Sequence, residues 1–334
     1  MARTAGASGG TRAVGGALGA VAALGAAALA WGVLIERNRF TIRNEIVPVL
    51  EPGARPITVL HLSDLHMAPW QHEKQDWIAR VAGLVEPDLV VATGDLLGHE
   101  DGLAGVRRAF APFAALETPG AFVHGSNDYY APGLRNPFAY FAGPRRDLVE
   151  PERLDTAALE RFLAGELGWF DLNGAARAIE LRGSRLELIG VDDPHLGRDR
   201  LGALPGLVEE MREATEWVPA PGRARRGEGR MPVTLALAHA PYRRVLDAFA
   251  VQGADVIFAG HTHGGQVRIP GLPALVTNCD IPREQASGLS TWRHARHTSW
   301  LEVSAGLGTS IYAPVRFACP PEAVVVTLVG ADVR

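Results

Sequence analysis

In Ile57-Thr58-Val59-Leu60-His61-Leu62-Ser63-Asp64-Leu65-His66, a run of β-branched and aliphatic residues closes on a carboxylate and an imidazole two positions apart. Pro56 precedes the run and polar residues follow it, the pattern of a short buried β-strand. Side chains at i and i+2 of an extended chain point the same way, so Asp64 and His66 converge on one point. A carboxylate oxygen with a neutral imidazole nitrogen suits a divalent transition metal.

Outward from this run the pattern repeats. Glu73 to Val85 has helical spacing (Trp77, Ile78, Val81, Leu84) and stops at Glu86-Pro87-Asp88. Leu89-Val90-Val91-Ala92 is a second buried strand and ends in Thr93-Gly94-Asp95. Leu103 to Leu116 is a second helix. Ala121-Phe122-Val123 is a third strand, ending in His124-Gly125-Ser126-Asn127-Asp128. Strand and helix alternating across short connections predict an α/β layer of parallel strands. Farther on, Val233 to Ala238 leads to His239, a helix spans Arg243 to Val251, and the strand Asp255 to Phe258 runs into Gly260-His261-Thr262-His263-Gly264-Gly265-Gln266. Gly264, Gly265 and Gln266 shape the turn after these histidines.

Five strand ends therefore carry metal-type ligands: Asp64 with His66, Asp95, Asn127, His239, and His261 with His263. Sites in open α/β sheets lie beyond the carboxyl ends of the strands. One histidine alone reads as a hydrogen-bonded structural residue; agreement among five strand ends does not.

Residues 129 to 175 read as an inserted cap, with Pro132, Pro137 and Pro144 ahead of an amphipathic helix near Thr156 to Leu167. Ala178–Leu181 and Arg185–Gly190 form a hairpin around Arg182-Gly183-Ser184. Residues 219 to 230 read as a solvated basic linker. Phe40 to Val49 alternates as an edge strand, and Ser299–Val303 and Ala323–Val329 make the tail all-β in character.

Length and charge narrow the function. The 334 residues, 47% hydrophobic, are ample for a sizeable core, and the net charge of −4 gives no basic face for a nucleic-acid partner, so none is expected. Cys279 and Cys319 make no Cys-x-x-Cys pair and read as buried free thiols; a disulfide would need an oxidising compartment. Residues 14–35 carry no charge over 22 positions, and about 20 helical residues span a bilayer. A single-pass membrane anchor, a cleaved signal peptide ending near Ala28-Leu29-Ala30 and a core helix compete. The run is apolar all round, unlike a core helix, and long for a signal peptide. An anchor in residues 1–40 is therefore expected ahead of a domain at 56–330, with an exported form after cleavage as the alternative. Arginines on both flanks leave the orientation open.

The set D-x-H, G-D, G-S-N-D, a lone His and G-H-T-H-G-G-Q resembles the calcineurin-like metallophosphoesterase superfamily. With Gly306-Leu307-Gly308-Thr309-Ser310 and Pro314-Val315-Arg316-Phe317, it resembles the membrane-associated bacterial branch. That branch includes YkuE-like phosphoesterases and enzymes that hydrolyse UDP-diacylglucosamine. The resemblance implies an α/β/β/α four-layer sandwich and two divalent cations, of Mn, Fe, Zn or Co. In this scheme Asp64, His66 and His263 hold one cation, Asn127, His239 and His261 the other, and Asp95 bridges. A bridging hydroxide attacks phosphorus in a phosphorylated small-molecule or lipid-linked substrate.

One element departs from the family pattern. Gly125-Ser126-Asn127-Asp128 stands where the family has G-N-H-D or G-N-H-E. Ungapped, Ser126 takes the ligand position and Asn127 the place of the family's catalytic histidine; Asn127 is preferred as ligand because an amide oxygen is the better donor. Asp128 and His124 are the candidate catalytic substitutes for the missing histidine. His195, in Asp192-Asp193-Pro194-His195, reads as part of a structural loop, with reach into the site as the alternative; His61 reads as a core histidine and Arg316 as a weak candidate for a phosphate contact. The competing function class is a metal-binding sensor without turnover, which the altered element keeps open.

Overall fold

The computed structural model describes residues 8–132, 152–215, 231–309 and 313–331. Its elements are α1 (Ser8–Ala30), β1 (Thr41–Leu50), β2 (Ile57–Leu62), α2 (His72–Val85), β3 (Leu89–Ala92), α3 (Gly102–Ala115), β4 (Gly120–Phe122), α4 (Ser126–Tyr129), α5 (Thr156–Glu160), β5 (Phe170–Asp171), β6 (Ala175–Leu181), β7 (Ser184–Gly190), α6 (Leu204–Thr215), β8 (Val233–Leu237), α7 (Arg243–Val251), β9 (Val256–Ala259), β10 (Gly288–His294), β11 (His297–Val303) and β12 (Glu322–Gly330). Residues 219–230, Pro137, Pro144 and Ser310 lie outside the described residues.

The strands form two six-stranded sheets, ordered β1-β12-β2-β3-β4-β5 and β10-β11-β9-β8-β7-β6. The run β2-β3-β4-β5 is parallel, as is β7-β8-β9-β11. Alternation along each strand explains the layering. Ile57 and Val59 of β2, with Leu89 and Val91 of β3, pack against Leu235, Leu237 and Phe258 of the other sheet. The intervening Leu60, Leu62, Val90 and Ala92 pack on Ile78, Val81, Val106 and Phe110 of α2 and α3. On the far side, Ile189, Ala236 and Ile257 meet Val208 of α6 and Val245 and Phe249 of α7. Strands covered on both faces read as continuous apolar runs, and this is why the middle of each sheet was visible in the sequence. The result is an α/β/β/α sandwich.

The first sheet begins before residue 56: β1 pairs in parallel with β12 over Thr41–Leu50 and forms the edge of the sheet. The hairpin β6–β7 turns at Arg182 and Gly183, both at positive φ (49° and 79°); that conformation matches the twist of the flanking strands.

The described part of the expected cap is core. Leu159, Phe162, Leu163 and Trp169 belong to the cluster under the first sheet. Trp169 packs on Phe110 and Phe113, its indole N–H donates to Thr118 O (3.1 Å), and β5 extends the sheet beside β4. The prolines suggested a cap, but Phe162 and Trp169, farther along the segment, are buried.

Among the described residues, one helical run, Gly19–Asn38, is long and apolar enough to cross a membrane. Its end is bonded to the domain. Glu36, buried, accepts from Cys319 N (2.8 Å) and from the Trp31 indole (2.7 Å), and Arg316 N donates to Gly32 O (3.2 Å). Arg316 itself is no phosphate contact. It is fully buried, and its guanidinium donates to the carbonyls of Ala305, Gly306, Gly308 and Cys319. Both cysteines are free thiols, Cys319 buried and Cys279 half-buried.

Candidate metal centre

Parallel strands bring their carboxyl ends to one edge, and both sheets place candidate ligands there. Asp64 and His66 follow β2, Asp95 follows β3, Asn127 lies in α4 after β4, His239 follows β8, and His261 and His263 follow β9. The sheets are joined at this edge: His261 N donates to both oxygens of Asp64 (3.2 and 3.0 Å), and His239 Nδ1 donates to Thr93 O (2.7 Å). The backbone shows what this costs. Asp64, His66, Asp95, His261 and His263 all sit at positive φ, between 41° and 68°. Non-glycine residues avoid this region, and such strain collects at functional sites. The neighbouring glycines are required by space. A Cβ on Gly125 would lie 2.3 Å from Asp95 Oδ1, and one on Gly260 would lie 2.4 Å from Asp64 Oδ2.

The donor atoms face inward at close range. His66 Nε2 is 3.1 Å from His263 Nε2 and 3.6 Å from Asp95 Oδ2. His263 Nε2 lies 3.5 Å from Asp64 Oδ1. His239 Nε2 lies 3.5 Å from Asp95 Oδ1 and 3.2 Å from His261 Nδ1. Two buried groups, Asp64–His66–His263 and Asp64–Asp95–His239, each keep their donor atoms within 4.8 Å of one another. Donors about 2.1 Å from a shared ion stand about 3.0–3.4 Å apart at octahedral or tetrahedral angles. Imidazole nitrogens facing each other in a buried pocket make sense when a cation lies between their lone pairs. The donor set therefore fits transition-metal cations.

Asn127 reaches the same carboxylate: its backbone N–H donates to Asp95 Oδ1 and its side-chain amide to Asp95 Oδ2, both at 2.8 Å. The other half of the altered element bonds elsewhere, with Ser126 Oγ donating to Asp193 Oδ2 (2.6 Å). Asp128 is fully buried. It accepts from Leu96 N (2.8 Å), Leu97 N (3.0 Å) and Gly125 N (2.9 Å), so it clamps the loops after β3 and β4. His124 is buried beside Phe122 and Tyr129, and its Nε2 pairs with Glu160 Oε1 at 3.1 Å.

Burial and charge set the protonation states. Burial pulls the His66 imidazole down to about 4, and it lowers His261 and His263 well below the ordinary value, which leaves these rings neutral. Burial raises Asp64 to about 6, with the Asp95 charge adding to the effect. Burial also disfavours the charged forms of Asp95 and His239, but their attraction outweighs it: Asp95 is held at about 2 and His239 at about 9. A cation at this site has to displace the His239 proton.

The sequence missed a support behind Asp64. Thr93 Oγ1 donates to Ser63 Oγ (2.7 Å), which donates to Asp64 Oδ2 (2.6 Å). The Thr93 proton is thus spent, so His61 Nε2–H must donate to Thr93 Oγ1 across 2.8 Å. His61, Ser63 and Thr93 orient a ligand carboxylate as partners behind metal ligands do. The His195 ring, on the loop after β7, has its centroid 4.6 Å from that of His261.

Residues 57–265 match the profile of the family described as calcineurin-like phosphoesterase. An uncharacterized metallophosphoesterase of Aquifex aeolicus is 25% identical over 299 residues, covering 88% of this chain and 91% of that protein. The uncharacterized metallophosphoesterase YkuE of Bacillus subtilis is 24% identical over 310 residues, covering 88% and 86%. A bovine transmembrane protein with metallophosphoesterase domain is 27% identical over 237 residues; the match covers 70% of this chain but only 46% of the bovine protein.

Proposed function

This chain belongs to the calcineurin-like phosphoesterase family, and on that premise we propose that it is a metal-dependent phosphoester hydrolase with a dinuclear centre. The observation that carries the proposal is the pair of buried ligand groups, Asp64–His66–His263 and Asp64–Asp95–His239, meeting where the two sheets join. Asp64, His66 and His263 would hold one divalent cation, Asn127, His239 and His261 a second, with Asp95 between them. Histidine-rich mixed ligation favours Mn, Fe, Zn or Co. Bound there, the cations supply the chemistry: they neutralise phosphoryl charge and lower the pKa of the attacking water.

The chain's own residues do the rest. Thr93 O holds the His239 Nδ1 proton, so Nε2 presents its lone pair. Ser63 and the His261 backbone N–H fix both Asp64 oxygens, and Asn127 fixes both oxygens of Asp95. Asp128 clamps the loops after β3 and β4 that carry Asp95 and Asn127. Accepting from three backbone N–H groups, it serves positioning better than proton transfer. His124, bonded to Glu160, is likewise placed to hold α5 against the loop after β4.

The substrate we assign is a phosphorylated small molecule or a lipid-linked phosphate, held near a bilayer by an anchor in residues 14–35. Two observations support the membrane part: the run Gly19–Asn38 has the length and apolarity of a span, and its end is bonded to the domain through Glu36 and Gly32. The bovine relative's description as a transmembrane protein points the same way. We take residues 56–330 as the catalytic unit, with β1 completing its first sheet.

The test is hydrolysis of p-nitrophenyl phosphate and bis(p-nitrophenyl) phosphate by the purified manganese-loaded protein. Turnover of at least one ester is expected. Protein that carries two metals and cleaves neither would support the sensor reading instead.

A further inference from the structure

Three imidazoles lead outward from the centre. His239 is fully buried, His261 is half-buried and His195 is exposed. The His261 ring centroid lies 5.0 Å from that of His239 and 4.6 Å from that of His195. His195, exposed and with its ring centroid 4.6 Å from that of His261, therefore stands on the solvent side of these candidate ligands.

The loop that carries it is built rather than loose. Asp193, fully buried, accepts from His195 N through Oδ1 (2.8 Å) and from Ser126 Oγ through Oδ2 (2.6 Å). Arg244 donates to Pro194 O (2.7 Å) and pairs with Asp199 (3.0 Å). Arg198 pairs with Asp192 (2.9 Å), whose other oxygen accepts from the Tyr129 hydroxyl (2.7 Å). The ring is oriented as well: His195 Nδ1 lies 2.9 Å from the Tyr242 hydroxyl, and the two rings stack at 14°. A donor held in place before the ligand arrives binds without a further ordering cost.

The residue that departs from the family pattern is thus bonded to the carboxylate that anchors His195. Ser126 in place of asparagine puts a short hydroxyl where it reaches Asp193, and Asp193 presents His195 beside His261.

We propose that His195 is a substrate-binding residue of the hydrolase centre, donating a hydrogen bond to a phosphoryl oxygen, with Tyr242 and Asp193 as its positioning residues. The assignment rests on the proposed hydrolase reading, and it gives this chain a histidine contact to phosphate from the loop after β7 in place of one after β4.

The test reads phosphate binding rather than turnover. Manganese-loaded parent, His195→Ala, His195→Gln and Tyr242→Phe proteins are titrated with inorganic phosphate by calorimetry, with metal content measured on each. A lost charge-assisted hydrogen bond weakens binding by about 10- to 100-fold. That loss is expected for His195→Ala at unchanged metal content. His195→Gln, which keeps an N–H donor, should recover most of it, and Tyr242→Phe should fall between. The proposal is overturned if His195→Ala binds phosphate as the parent does. It is also overturned if metal is lost in step with phosphate, which would make His195 a prop for His261, or if the loaded parent binds no phosphate. A parent that binds metal and phosphate yet cleaves no ester would end the hydrolase reading and leave the His195 contact standing.

Discussion

A single buried imidazole shows how much the pocket depends on protonation. Burial, with the Arg43 charge adding, pulls His61 down to about 3, so the folded protein keeps it neutral while the unfolded chain protonates it near its ordinary value of about 6.5. Below that value the unfolded state binds the extra proton, so stability falls as pH falls and is fully present above it. Between about pH 7 and about pH 5 this one group removes about 2 kcal/mol. Urea unfolding of the metal-free protein should show that loss, and His61→Gln should be less stable at neutral pH but lose about 2 kcal/mol less on acidification. An unchanged acid slope in the variant would contradict the assignment. At the same scale, His239→Ala should remove one cation in preference to the other, since His239 serves only the second proposed ion; equal loss of both by elemental analysis would count against that division. The candidate ligands were legible in the sequence because each follows a strand, and sequence order alone puts them at one edge. The supports were not. Ser63 and Thr93 are 30 positions apart, and the hydroxyl-to-hydroxyl bond between them has no periodic signature. The neighbour that orients His195, Tyr242, is likewise 47 positions away.

Elements buried on both faces were the easy ones, with α7 matching its expected bounds and the ends of β8, β9 and α3 within a residue or two. Those with weaker patterns were missed or misassigned. The two-residue β5 is too short to show alternation, and β10 (Gly288–His294) is half exposed, with little apolar signal. The segment from α5 through Trp169 read as a cap because prolines dominate its start, yet it closes the helical side of the first sheet. Gly120 leaves the space that the Trp169 ring fills: a Cβ there would lie 2.5 Å from the indole. Trp169→Ala should therefore cost about 3–5 kcal/mol, as buried Trp truncations do, read from denaturant midpoints at constant slope. A cost below about 1 kcal/mol would return this segment to the status of a detachable cap.

At the scale of the whole molecule, two sheets from distant parts of the chain meet face to face, and the proposed cations lie where their carboxyl edges join. Metal bound only by the folded state should then stabilise the sandwich as a unit: chelation should lower the thermal midpoint in a single transition, with a loss of about 2.7 kcal/mol of stability for each ion held at a hundredfold excess over its dissociation constant. The same dependence makes metal stoichiometry the direct test of the central claim. Elemental analysis after manganese loading and desalting should find two ions per chain in the parent and none in Asp95→Asn, because that carboxylate lies between both sites. A parent that retains no metal, or an Asp95→Asn protein that keeps the full parental content, would contradict the dinuclear centre.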